Sequence, residues 1–141
     1  MKEQFEDKFM DIQAGLISLC LEVMENEVDK VYAYAFMDDT VTMFNAFFEK
    51  NGKVLTLNQF HVDLETAMQF LSIGTADLEK IITLCEEEGR QIPTEIKMCY
   101  DVKTGKYNAD YRYGKICPED VDESKVFMEW YEEVKENTEI H

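Results

Sequence analysis

The sequence predicts an α+β domain, in which helices pack on an antiparallel sheet of about five strands. Three observations lead to this prediction. Long stretches with helical apolar spacing begin and end the chain, runs with strand-like alternation lie between them, and short turns join neighbouring strands. The predicted order is α-β-β-β-α-α-β-β-α, and a length of 141 residues suits one domain, 1-141, that can bury a full core.

The first helix is predicted over residues 2 to 26. Its apolar residues recur every three or four positions, which is the spacing of one helix face. They are Phe5, Phe9, Ile12, Leu16, Leu19 and Val23. Gly15 lowers the helix propensity of this stretch without interrupting the pattern.

The next part of the chain is predicted to form three strands, over residues 31–37, 41–48 and 54–59. Asp38-Asp39 is the tight connection between the first two. Asn51-Gly52 joins the second to the third, because a type I′ hairpin turn needs positive φ at both central residues.

Pairing these strands through their turns divides their side chains between two faces. The face expected to be core holds Val31, Ala33, Ala35, Phe44, Ala46, Phe48, Leu55 and Leu57. The other holds Tyr32, Tyr34, Phe36, Val41, Met43, Phe47, Val54 and Thr56. This second face is too apolar to lie open on a monomer, so either a helix or a partner covers it.

A pair of central helices is predicted after the third strand. Asp63 caps the first helix, which ends at Gly74, and Thr75 caps the second, which ends at Gly89.

Residues 97–115 then hold four tyrosines and are predicted to form a hairpin around Lys103-Thr104-Gly105-Lys106. An even-numbered turn places Val102 opposite Tyr107 and collects most of the tyrosines on one face. We therefore interpret these tyrosines as core rather than as a binding surface.

A long C-terminal helix closes the predicted fold. Pro118 and Asp120, with Glu123 three residues after the aspartate, mark its start. Its buried stripe is predicted to be Val126, Phe127, Trp130, Tyr131 and Val134.

The strongest compositional feature is negative charge. Thirty acidic residues against fourteen basic ones give a net charge of −16. Such a polyanion repels nucleic-acid phosphates and anionic membrane surfaces, so we expect neither as a partner. It attracts a basic protein and speeds the encounter with it. Solubility alone is the competing explanation.

The location is predicted to be cytoplasmic. The N-terminus is charged from its second residue, which excludes a signal peptide, and no run of about 18 apolar residues could span a membrane. The four cysteines show no C-x-x-C spacing, so we expect free thiols in a reducing compartment.

The sequence contains no motif that indicates catalysis, a metal site or a cofactor. It holds only two histidines, His61 and His141, and His141 is expected to be disordered at the chain end, so no histidine-pair metal site is proposed. An enzyme that uses Cys99 or Cys117 as a nucleophile beside His61 is an alternative. Inert thiols are the commoner case.

Two groups of acids stand out as candidate partner-binding residues. They are Glu86, Glu87 and Glu88 at the end of the middle helix, and Glu129, Glu132, Glu133 and Glu136 along the last helix. The first group lies where the helix dipole disfavours anions, and the second repels itself at i,i+3 and i,i+4 spacings. Placing acids where they slightly destabilise a helix points to a role outside folding, although a merely solvated face would have the same pattern.

Taken together, these segments resemble the YezG-like immunity protein family. The matching stretches are Asp29 to Ala35 with Asp38-Asp39, Met43 to Phe48, Pro93-Thr94, Tyr100-Asp101, and Tyr107 through Asp110-Tyr111. The resemblance covers about residues 5 to 135. Val28 and Thr94 stand where the family often has tryptophan. Members of the family are small acidic antitoxins of Gram-positive bacteria that neutralise LXG-type polymorphic toxins, often nucleases.

The resemblance implies a non-enzymatic, cytoplasmic immunity protein that blocks a basic, nuclease-like toxin through its acidic surface. We expect the two acid groups to steer the toxin. If the second sheet face is open, Tyr32, Tyr34 and Met43 would be its apolar contacts. The alternative is a structural or adaptor module in which that same face forms a homodimer.

Overall fold

The computed structural model describes residues 2–117 and 122–139. Its elements, in chain order, are α1 (Lys2–Val23), β1 (Lys30–Met37), β2 (Thr42–Lys50), β3 (Lys53–Thr56), a 3₁₀-helix (Leu57–Phe60), α2 (Leu64–Glu87), β4 (Glu95–Asp101), β5 (Tyr107–Arg112) and α3 (Glu123–Glu139). The α+β class and the order of helical and strand elements are confirmed.

All five strands belong to one antiparallel sheet with the order β3-β2-β1-β4-β5. The predicted hairpin between β2 and β3 is confirmed, because Asn51 and Gly52 both have positive φ, 53° and 81°. The predicted division into two faces is confirmed as well. Val31 pairs with Phe48 and lies on one face, while Tyr32 pairs with Phe47 and lies on the other.

The first face is covered by α1 and α2. Its cluster joins aliphatic and phenylalanine side chains of both helices to alternate residues of β1, β2 and β4. Gln13 of α1 is fully buried here, and its Oε1 accepts hydrogen bonds from the hydroxyls of Tyr107 (2.5 Å) and Tyr111 (3.1 Å). The tyrosines of β5 therefore serve mainly as core, as predicted, whereas Tyr113 beyond the strand is 50% exposed.

The predicted break at Gly74 is wrong, because α2 continues through it as one helix. Close packing against Phe44 requires a glycine at position 74, because a Cβ there would lie 2.6 Å from Cε2 of the Phe44 ring. Thr75 does not cap a new helix, since its hydroxyl donates to the carbonyl of Leu71 (2.8 Å), four residues back in the same helix. The two helical elements between β3 and β4 are the 3₁₀-helix and α2.

The predicted register of the tyrosine hairpin is wrong by two residues. Tyr100, rather than Val102, pairs with Tyr107. Asp101 causes the difference, because its Oδ1 accepts from the amides of Lys103 (3.0 Å) and Thr104 (3.2 Å) and so widens the turn. A shift of two residues leaves every side chain on its predicted face.

Two predicted boundaries also move. The first helix ends at Val23 rather than residue 26, since Glu25 and Asn26 both have positive φ. The third strand ends at Thr56 because the amide of Thr56 is bonded to Oε1 of Gln59 (2.8 Å), which starts the 3₁₀-helix.

The second face is covered by α3. Its cluster consists of Tyr32, Tyr34, Phe36, Phe47, Val54, Phe127, Trp130 and Tyr131. A helix of the same chain therefore fills the place that either a helix or a partner was expected to fill. The amide of Lys125 donates to Oδ1 of Asp122 (2.9 Å) at the start of α3. Pro118 and Asp120, predicted to mark this start, lie outside the described residues, as does His141.

Candidate functional site

The outer face of α3 is a continuous acidic surface, formed by Glu129, Glu132, Glu133 and Glu136. Phe127, Trp130 and Tyr131 are buried against the sheet, and the helical period places the four glutamates on the opposite side. All four are exposed. Within residues 2–117 and 122–139 none of them forms an ion pair. Lys135, on the same helix, pairs instead with Glu139 (2.8 Å).

The three glutamates at the end of α2 point in different directions. Glu86 lines a cleft at one end of the sheet, whereas Glu87 lines a groove between α1 and α2. Glu88 is exposed and its amide bonds back to the carbonyl of Leu84 (3.1 Å). The structure therefore does not bring these residues together as one patch.

We call the hollow beside Glu86 the acidic cleft. It has a volume of about 740 Å³. It lies where the β1–β2 turn, the second half of α2 and the chain after β5 meet. Its lining is Phe36, Met37, Asp38, Asp39, Thr40, Ile82, Glu86, Gln91, Ile92, Thr94, Gly114, Lys115, Ile116 and Cys117. The floor is thus largely apolar and the rim carries three acids and one lysine.

Hydrogen bonds hold Asp38 at this rim in a fixed position. Its Oδ1 accepts from the amides of Thr40 and Val41, both at 2.8 Å, and from the Thr40 hydroxyl at 3.0 Å. Desolvation raises the pKa of Asp38, but these three bonds outweigh it, so the pKa lies below its ordinary value. Asp38 is therefore a permanent anion at neutral pH.

The field inside the cleft is negative. Burial raises the pKa of the Cys117 thiol, and the charges of Glu123, Asp38, Glu95 and Asp122 raise it further. These carboxylates come from separate parts of the chain. Their combined negative potential at this thiol favours cations at this end of the sheet.

The predicted site thus divides into two regions on opposite sides of the sheet. Glu86 and α2 belong to the first face, whereas the outer face of α3 lies beyond the second. The acidic cleft curves around the end of the sheet between them, since it contains both Met37 of the first face and Phe36 of the second.

The prediction that Tyr32 and Tyr34 are partner contacts is wrong. Tyr32 is 9% exposed and Tyr34 is fully buried, because α3 lies over both. Met43 is half-buried under the start of the same helix, with its Sδ 3.7 Å from the Ser124 hydroxyl. A homodimer through this sheet face is excluded for the same physical reason.

Glu95 is a buried carboxylate that no motif in the sequence marks as functional. Its Oε2 accepts from the hydroxyl of Tyr34 (2.6 Å), and its Oε1 lies 3.6 Å from Nη1 of Arg112 and 4.0 Å from Nζ of Lys97. Strand alternation could have indicated which way Glu95 faces, because Glu95 and Lys97 are two residues apart in β4 and therefore lie on the same side of the sheet. Its full burial depends on groups distant in the sequence, among them Tyr34 and Arg112, and could not be foreseen.

The four cysteines are free thiols. Burial, followed by the charge of Asp110, raises the pKa of Cys99 to about 11, so this thiol is protonated at neutral pH. His61 lines a different hollow, near Met24 and Val62, and no cysteine is among the residues described around it. These environments are the opposite of those that activate a cysteine nucleophile.

No family model matches the chain. No curated protein matches it significantly. The assignment to the YezG-like family therefore stays a resemblance of sequence pattern.

Two further observations concern the described residues only. None of the helices there combines the length and apolar character needed to cross a membrane. No three His, Cys, Asp or Glu side chains among them converge so that they could hold a metal ion.

Proposed function

We propose that this chain is a cytoplasmic, non-catalytic immunity protein that binds and neutralises a basic toxin protein, with a nuclease as the expected class. The observation that carries the proposal is the outer face of α3. Four exposed glutamates lie there in a row without ion-pair partners among the described residues. Each i,i+3 or i,i+4 pair of like charges costs a helix about 0.2–0.5 kcal/mol, so the arrangement does not serve the helix itself.

A nuclease toxin offers the complementary surface, because its substrate groove must be basic in order to bind phosphates. A chain with a net charge of −16 attracts such a groove over a long range. Electrostatic attraction of this kind raises association rates by about 10–10³-fold at low salt. Nucleic acid is repelled by the same field and is not proposed as a ligand.

The acidic cleft supplies apolar contact area, which the outer face of α3 lacks. Ile82, Ile92 and Ile116 are half-buried in its floor and offer apolar contact area beneath the acidic rim. Interfaces draw most of their affinity from a few side chains that fill such hollows, while surrounding charges mainly set the association rate. We assign the anchoring contacts to the cleft and the steering to α3.

The first experiment is a tagged pull-down from the source organism, washed at low and then at high salt. The eluted protein is identified by mass spectrometry, purified and assayed with and without a stoichiometric amount of the chain. Immunity predicts a basic protein that salt releases, whose expression arrests growth and whose toxicity disappears on co-expression of the chain. A captured protein whose toxicity is unchanged by the chain contradicts the proposal.

The steering role is tested by reversing the four glutamates of the outer face of α3 to lysine. We expect the association rate with the toxin to fall by about tenfold or more at low salt. A matched control reverses four acids on α1, which changes the net charge equally. These are Glu6, Asp7, Asp11 and Glu22. Equal losses in both variants would show that net charge acts, rather than the position of α3.

A further inference from the structure

The two edges of the sheet differ in how their backbone groups are satisfied. β3 forms one edge and β5 the other. An edge strand presents unpaired amides and carbonyls that can pair with another strand unless something covers them. The chain covers one edge and leaves the other open.

Side chains cap the β3 edge. The amide of Val54 donates to Oε2 of Glu139 (2.8 Å), and the Tyr131 hydroxyl lies 3.4 Å from the Val54 carbonyl oxygen. The amide of Thr56 donates to Oε1 of Gln59 (2.8 Å). The C-terminal end of α3 and the 3₁₀-helix thus block pairing at this edge.

The β5 edge has no such caps among the described residues. The carbonyls of Lys106 and Arg112 accept hydrogen bonds from the β4 side, from Asp101 (2.9 Å) and Thr94 (2.8 Å). Because backbone groups alternate along an antiparallel strand, those of Tyr107, Ala109 and Tyr111 point outward. Within residues 2–117 and 122–139 no hydrogen bond to these outward groups is present. The strand also lacks a proline or a bulge that would discourage pairing.

We propose that β5 pairs antiparallel with β5 of a second copy of this chain, about a two-fold axis at Tyr111, so that two sheets join into one. In this register Asp110 lies opposite Arg112 of the second copy, and Arg112 lies opposite its Asp110. Both side chains are exposed on the same face of the strand. Opposite charges directly across a strand pair stabilise it, and the symmetry makes the pair occur twice.

Two other registers, with the two-fold axis at Asp110 or at Ala109, are less favourable. A two-fold axis at Asp110 places this carboxylate opposite its own copy. An axis at Ala109 places Arg112 opposite Lys106 of the second copy. Like charges directly opposite destabilise a strand pair. The axis at Tyr111 also places the small Ala109 opposite Tyr113, whose side chain is 50% exposed in the single chain.

The pairing leaves existing contacts in place. Arg112 uses Nη1 toward Glu95 (3.6 Å), its side chain is 56% exposed, and the guanidinium has further donors. α1 packs against α2 and β1, and it contacts β5 through the side chains of Tyr107 and Tyr111 on the first face, not through the outward backbone groups of the strand. Net charge opposes the dimer, since each copy carries −16, so association is expected to be measurable at about 0.3 M salt, where this repulsion is screened over a few Å.

Sedimentation equilibrium of the purified chain at that salt concentration is the first test, with a concentration-dependent dimer expected. Asp110→Arg places arginine opposite Arg112 and should raise the dimer dissociation constant at least tenfold. Glu79→Arg, an equal charge change at an exposed position on α2, which packs over β2 and β1 rather than at the β5 edge, should leave the dimer unchanged. Mixing Asp110→Arg with Arg112→Asp should restore dimers, because the mixed pair again brings opposite charges together.

Ala109→Pro tests the edge independently of charge. Proline removes an amide that points outward and takes no part in the β4 ladder, so the fold should survive while the dimer is lost. Circular dichroism establishes that each variant is folded. A wild-type chain that stays monomeric, or a dimer that persists in folded Ala109→Pro, overturns the proposal. If the wild-type chain is monomeric, any strand that pairs with β5 would have to come from another protein.

Discussion

The two faces of the sheet bury apolar surface in different ways. The first face uses two long helices and many aliphatic side chains spread over α1, α2 and three strands. The second uses one helix and a compact group in which all members except Val54 are aromatic. Trp130 is the part of α3 that packs on β1 and β2 in this group, with ring centroids 4.9 Å from Phe47, 5.9 Å from Tyr32 and 6.0 Å from Tyr34.

The difference shows how one helix can cover one face of the strands β1, β2 and β3. Aromatic side chains bury about 150–250 Å² each, so a few of them replace many aliphatic ones. The stabilisation of the second face is therefore concentrated in a few side chains. Each ring of the second face carries a larger share of the free energy of unfolding than a typical side chain of the first.

The largest effect is expected from Trp130→Ala. Removing this buried ring, which contacts three aromatic residues of the sheet, should lower the free energy of unfolding by about 3–5 kcal/mol. Because α3 is held chiefly by this cluster, we expect its amide protection to fall before that of α1 and α2. Hydrogen exchange measured by NMR checks this. Uniform loss of protection in all helices would show that the two faces unfold as one unit.

The next effect concerns Gly74, where the first face tolerates no added atom. Gly74→Ala should destabilise the fold by about 3 kcal/mol, because the new methyl group would lie 2.6 Å from Cε2 of Phe44. The matched control is Gly15→Ala, since a Cβ there meets nothing within 4 Å. That substitution should stabilise by about 0.5–1 kcal/mol. Urea denaturation of both variants measures the contrast, and effects of equal sign would contradict it.

Tyr34→Phe tests the buried polar pair of the second face. The substitution keeps the ring but removes the donor to Glu95, which leaves Oε2 of a fully buried carboxylate unsatisfied. We expect a loss of about 2 kcal/mol in the free energy of unfolding. Tyr34→Phe combined with Glu95→Gln should lose less, because the amide carries no charge. A double variant that is no more stable than Tyr34→Phe would argue against this account.

The smallest effect at neutral pH, and a distinctive one at alkaline pH, is expected from Tyr32→Phe. Burial, then the charges of Glu49, Cys99 and Asp101, raises the pKa of Tyr32 to about 12. A raised pKa gives stability that is fully present below the unfolded pKa of about 10 and is lost as the pH rises toward 12. Tyr32→Phe should therefore show a shallower alkaline loss of stability than wild type. Tyr113→Phe, which removes the hydroxyl of an exposed ring, is the matched control, and identical stability curves for all three chains would refute the assignment.

Most of the fold could be predicted from local patterns. Hydrophobic period identified α1, α3 and all five strands, and Asn51-Gly52 marked its hairpin because few residue pairs accept positive φ twice. The errors at Gly74 and in the β4–β5 register have one origin. Glycine and aspartate have several local uses, and only the neighbours Phe44 and Lys103-Thr104 decide between them.

The candidate site was less predictable than the fold. The spacing of the four glutamates in the sequence was enough to place them on one side of α3, because that position depends only on helical geometry. The structure was needed to show that Glu86 and Glu87 line different hollows. It was also needed to show that both lie on the other side of the sheet from α3, because this depends on which helix packs on which face.

The order of residues alone therefore determined α1, α3, the five strands, the two apolar sheet faces and the excess of acid, because each depends on neighbours in sequence or on composition. The tertiary structure decided accessibility. It buried Tyr32 and Tyr34 under α3, buried Glu95 beside Tyr34, exposed Cys117 to the negative field of four carboxylates, capped the β3 edge and left β5 open. The reason is physical: burial and electrostatic field depend on groups far apart in the chain, and no local pattern records where they meet.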